Sequence, residues 1–186
     1  MGVARRLARL FKWVIEYQKM AELIKSPPAD GNEVDLALAL LTRLGFFGFW
    51  FFDNLWVLAH IGFLKRDATP FKKPGMISWF FGLLFNVIGT VRSLQRVNRE
   101  TSSIKRLIKE APQKKESFKD RLAALESKKW ACYRTFLKSF GDMLPSFGAS
   151  GLNEKIGVDF SDTQVGLGGS ISAIVTCWEL FPGASK

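Results

Sequence analysis

Apolar and polar positions change rhythm several times along the chain. Residues 3 to 25 keep a helical period, with Leu7, Leu10, Phe11, Val14, Ile15 and Gln18 on one side. Arg5, Arg9, Lys12, Glu16 and Lys19 fall on the other, and Trp13 sits at the boundary. The stretch KSPPADGNEVD, residues 25 to 35, ends this amphipathic helix with a proline pair, Asp-Gly and capping residues. A hydrophobic region then runs from Val34 to Leu64, RDATPFKKPG (66 to 75) interrupts it, and the uncharged MISWFFGLLFNVIGTV (76 to 91) follows. From Arg92 to Lys138 the chain turns polar, with helical spacing in SIKRLIKE and SFKDRLAALESKKWACYRTFLKSF, two helices that Pro112 divides. A Gly-rich loop is expected over 141 to 162, and VGLGGSISAIVTCWELFP (165 to 182) closes the chain as a third apolar run.

These patterns predict an all-α, membrane-associated protein: an N-terminal amphipathic helix (1–25), a hydrophobic region (34–91) and charged helices (92–140), then a C-terminal membrane helix (165–182), with two to three hydrophobic helices in all. Leu44 to Leu64 reaches roughly 30 Å as a helix, the thickness of bilayer hydrocarbon. Its Leu, Ile, Val and Phe residues together favour insertion by roughly 4–7 kcal/mol, against about 3 kcal/mol for Asp53. Asn54 and His60 add to that cost, so these three intramembrane polar groups should face protein, water or the interface. The other reading is that Asp53-Asn54 caps a helix beginning at Leu55. Met76 to Val91, about 24 Å long, is short for a span and reads as an embedded or interfacial helix, a hairpin partner for the first. In the last run, Gly168, Ser172 and Thr176 recur at spacing four, as do Gly169 and Ala173, which permits close helix association in lipid.

Composition strengthens the membrane reading. Phe 17 and Trp 6 against Tyr 2, with a formal charge of +10, combine lipid contact with attraction to anionic partners. Arg5, Arg6, Arg9 and Lys12 at an anionic surface are worth about 1 kcal/mol each. A basic amphipathic helix carrying Phe and Trp suits the interface, although an ordinary bundle helix has the same pattern. The N-terminus lacks a secretory core and is somewhat like a mitochondrial presequence, with no acid before Glu16. Enzyme chemistry finds no support: the single His60 excludes His-based triads and multi-His metal sites, and GLGGS lacks the Lys of a phosphate loop. Cys132 and Cys177 match no metal or disulfide spacing. No catalytic residue, cofactor or metal is expected, and no nucleic acid, because acids interrupt the basic stretch throughout.

In order, ARRLARLFKWVIEYQKMAEL, LTRLGFFGFWFFDNLWVLAHIGFLKRD, SWFFGLLFNVIGTVRSL and GLGGSISAIVTCWELFP resemble the peroxin-11 family of peroxisomal membrane proteins. The chain starts close to the amphipathic helix, where family members usually carry further helical sequence. The resemblance implies a peroxisomal membrane location and a protein that elongates the organelle and promotes its division. It implies homo-oligomers, and as partners anionic lipids and the fission machinery, a dynamin-related GTPase with its adaptor. By resemblance Arg5, Arg6, Arg9, Lys12 and Lys19 meet headgroups, while Leu7, Leu10, Phe11, Val14 and Ile15 insert. Both termini would face the cytosol, with passes near 44 to 64 and 165 to 181. The basic stretch from 92 to 138 would then be lumenal, against the positive-inside rule. The competing classes are a metabolite pore lined by Asp53, Asn54 and His60, and a soluble helical adaptor.

Overall fold

Capping and proline chemistry set where the helices begin and end. The computed structural model describes residues 6–27, 32–158 and 160–181. Its helices are α1 (Lys12–Lys25), α2 (Glu33–His60), α3 (Thr69–Glu110), α4 (Lys119–Ser150), the short α5 (Leu152–Ile156) and α6 (Asp162–Leu180), with no strand among the described residues. The all-α expectation holds. Asn32 opens α2 and Ser161 opens α6 through reciprocal capping boxes with Asp35 and Gln164. Two 3-10 turns, Pro112–Lys114 and Glu116–Phe118, join α3 to α4 where Pro112 forbids continuation.

Three segments depart from the sequence reading. Residues 66–68 still break the chain, but 69–75 are helical: Pro70 sits in the first turn of α3, where a missing N–H costs nothing, and Pro74 lies inside the helix. The expected short helix at Met76–Val91 is therefore one part of a 42-residue helix, about 63 Å long. Most of the expected loop over 141–162 is helical, since α4 runs on through Pro145 to Ser150 and α5 follows. Gly141 is there for packing: a Cβ on it would lie 2.6 Å from the Gly168 carbonyl oxygen. The regular N-terminal helix starts at Lys12, after a left-handed residue at Phe11.

The long helices form a row. α1 packs on α2, α2 on α3, α3 on α4 and α4 on α6, with only sparse contacts otherwise. Such a single layer cannot enclose a core, and it exposes 12523 Å² where about 9,000 Å² is usual for a folded chain of this mass. The exposed surface carries many large apolar side chains, including Leu41, Leu44, Phe81, Ile88, Phe140 and Ile174. Among the described residues, the end of α3 and the start of α4 make a water-type core, where Val97, Ile104 and Leu125 pack with Ile108, Phe118 and Leu122. The α2/α3 contact is different in kind, for Gly45 and Gly82 bring the two backbones together: a Cβ on Gly45 would lie 2.4 Å from the Gly82 Cα. Close approach over small residues is how helices associate in lipid.

Candidate functional site

Asp53 and Asn54 sit two turns before the end of α2, and the structure uses both to hold the N-terminal segment. Arg6 pairs with the Asp53 carboxylate at 2.6 Å, and its guanidinium stacks 4.3 Å above the Trp56 ring. The Asn54 side chain is buried, and its amide oxygen accepts from the Phe11 N–H at 3.0 Å and the Trp13 indole N–H at 3.2 Å. Those bonds hold Phe11 at φ 66, a left-handed conformation that costs a bulky L-residue roughly 1–2 kcal/mol. Beyond the turn, Trp13 meets Phe47 and Phe51 edge-on, and Glu16 is 7% exposed, pairing with Lys19 at 2.7 Å and Arg43 at 3.2 Å. Burying Glu16 without these cations would be expensive.

Glu16 is thus turned toward α2 beside Trp13, while several apolar side chains stand outward among the exposed Lys12, Gln18, Glu22 and Lys25. Leu7, Phe11, Ile15 and Ile24 are exposed, Phe11 at 66%. Leu10, Trp13 and Val14 are half-buried, and Arg9 and Lys12 lie over Trp50 at 5.8 and 4.9 Å. Arg5 falls outside the described residues. His60 is exposed and stacks on Trp56, with centroids 4.7 Å apart, so it does not share a cavity with Asp53 and Asn54.

At the other edge of the row, Gly168 and Ser172 are buried against Gly141 of α4, so part of the small-residue pattern serves packing within the chain. Thr176 donates to the Ser172 carbonyl, Ala173 is exposed, and a Cβ on Gly169 would meet nothing. No three His, Cys, Asp or Glu side chains converge among the described residues in a way that would hold a metal. A cleft of about 280 Å³ between α2, α3, α4 and α6 is lined by Phe46, Trp79 and Leu83 together with polar groups including Asn86, Ser139 and Asp142.

Sequence reasoning missed the α2/α3 seam of Gly45, Gly48, Gly75, Ser78 and Gly82, and it missed Arg43. The three- and four-residue spacing of small groups was readable in both segments, and Arg43 is the only charge between 36 and 52. Its partner, Glu16, could be found only from the fold.

A sequence model of the family described as Peroxisomal biogenesis factor 11 (PEX11) matches residues 1–181. The Peroxisomal membrane protein 11 homolog of Dictyostelium discoideum is 27% identical over 199 residues, covering 97% of this chain and 75% of the relative. No solved structure matches significantly.

Proposed function

The chain belongs to the Peroxisomal biogenesis factor 11 family, and from that premise we propose that it elongates the peroxisomal membrane and promotes division by wedging its N-terminal segment into one leaflet. It is a peroxisomal membrane protein of peroxisome biogenesis, and no enzyme chemistry is ascribed to it. The observation that carries the remodelling reading is the outward row of Leu7, Phe11, Ile15 and Ile24 on a segment that Arg6 and Glu16 tie to α2. Apolar insertion from such a helix adds to the attraction of Arg9, Lys12 and Lys25 for anionic lipid. A wedge in one leaflet expands that leaflet, so many copies favour curvature. Self-association and recruitment of a dynamin-related GTPase with its adaptor belong to the same proposal, as does contact of Arg5 with headgroups; Arg6 is instead taken up by Asp53 and Trp56.

Expression in cells whose own family member has been removed tests the reading. The wild-type chain should lengthen peroxisomes and raise their number, while Phe11→Glu with Ile15→Glu should reach the organelle and leave its shape unchanged. Equal elongation by the double variant would refute the wedge. A metabolite pore is the alternative, supported by the cleft around Asn86, Ser139 and Asp142. Conductance across a planar bilayer separates the two.

A further inference from the structure

The helix row carries two charged belts. At one end Asp35 pairs with Arg92 and Arg96, and Glu179 with Lys138 at 3.5 Å and Arg134 at 4.0 Å. At the other end Arg6 pairs with Asp53, Lys72 lines the same small cleft, and Lys73 lies beside Gly151. Along α3 the belts are separated by the uncharged residues 74–91, about 28 Å of helix between Lys73 and Arg92. The spacing is about 27 Å along α2, from Asp35 to Asp53, and about 26 Å along α6, from Asp162 to Glu179. These lengths match bilayer hydrocarbon.

Several polar groups between the belts are partnered, as lipid requires. Arg43 meets Glu16, and the Asn86 amide donates to Ser139 at 2.8 Å. Arg6 and Glu16 of the N-terminal segment supply counter-ions to Asp53 and Arg43 of α2, while Lys12, Gln18, Glu22 and Lys25 stay exposed, so this segment is not counted among the crossings. α4 shares the band between the belts because its second half runs beside the first half of α3: Phe147 packs on Phe80 at 5.2 Å, and Cys132 lies 3.7 Å from Ser93.

We infer that the chain crosses the bilayer four times, by α2, the first half of α3, the second half of α4 and α6, with acyl chains covering the exposed apolar surface. The basic hairpin from 92 to 133 then projects on the same side as the start of α2 at Asn32 and the end of α6. The loop 61–68 and residues 151–158 lie on the opposite side. Between 92 and 138 the chain carries fourteen Lys or Arg against five Asp or Glu, so the positive-inside rule puts the hairpin in the cytosol. The two-pass arrangement implied by resemblance sends that charge into the lumen; pairing α3 with α4 removes the conflict. This inference rests on the membrane reading above and adds sidedness to it.

Single-cysteine labelling in intact peroxisomes tests it, in full-length protein with Cys132→Ser and Cys177→Ser. A membrane-impermeant maleimide should label Gln113→Cys, at the hairpin tip, equally before and after permeabilisation. Phe63→Cys should label at least tenfold less before permeabilisation than after. Trypsin added to intact organelles holding the unaltered chain should cut within 105–121, a readout free of substitutions. Protection of Gln113→Cys, or exposure of both positions in carbonate-resistant protein, would overturn the four-crossing arrangement. Loss of the chain to alkaline carbonate would instead overturn the membrane reading itself.

Discussion

Replacing Gly45 by alanine should separate α2 from α3. The new Cβ would lie 2.4 Å from the Gly82 Cα, 2.6 Å from its nitrogen and 2.8 Å from the Ser78 carbonyl oxygen. All three are backbone atoms, so no side-chain rotation relieves the clash. Ordinary carbon contacts lie near 3.5–4.0 Å, so the helices must part by about 1 Å or more at this point. Overpacking of this kind costs about 1–3 kcal/mol, and a gap of that size weakens neighbouring contacts such as Phe49 on Trp79. That pair is stacked with centroids 5.1 Å apart, so in a background where the other five tryptophans are replaced by phenylalanine, Trp79 fluorescence reports directly on the seam. In detergent-purified protein, Gly45→Ala should unfold at lower SDS fraction, with a 5- to 150-fold smaller folding constant. Gly148→Ala is the control, because its Cβ would meet nothing and α4 gains helix propensity, so it should be neutral or stabilising. If Gly45→Ala were as stable as the wild type with unchanged fluorescence, the close backbone contact would be refuted.

Asn54→Ala removes the acceptor for the Phe11 and Trp13 N–H groups and should cost about 1–3 kcal/mol, read as faster amide exchange over residues 6–14. Glu16→Gln leaves Arg43 without its countercharge, and should lower stability in the same assay, whereas Glu116→Gln, in an exposed pair with Lys119, should change it by less than about 0.5 kcal/mol. Gly168→Val should loosen α6 from α4, since even a Cβ there would approach the Gly141 carbonyl oxygen to 2.6 Å; faster exchange confined to α6 is the expected result. The Asp67 carboxyl is held below its usual range, first by the Thr69 backbone N–H and then by the Thr69 hydroxyl. Its support for the start of α3 is therefore complete above the ordinary aspartate range and lost as pH falls through the lowered value. Thr69 amide exchange, corrected for intrinsic rate, should rise at that acid limb, and Asp67→Asn should abolish the titration.

Much of the helix plan was legible because its signals are local. The Pro112 break needs only the missing proline N–H, and the apolar runs announce α2, the start of α3 and α6 through composition. Glycine and proline misled where their use was tertiary. Gly141 reads as loop in isolation, yet it is helical because Gly168 approaches it, and Pro70 reads as a break although the first turn accepts it. The turn at Phe11 was beyond reach, since a helical period runs straight through it and its cause, Asn54, lies far along the chain. Asp53 was recognised as anomalous in an aromatic run, but its partner Arg6 was read only as a headgroup contact.

Reconstituting the full-length protein into anionic liposomes and recording vesicle shape by cryo-electron microscopy tests the central claim most directly. Wild-type protein should draw vesicles into tubules, and Phe11→Glu with Ile15→Glu should insert to the same extent while leaving them round. Tubules from both, or from neither at equal insertion, would contradict the wedge account.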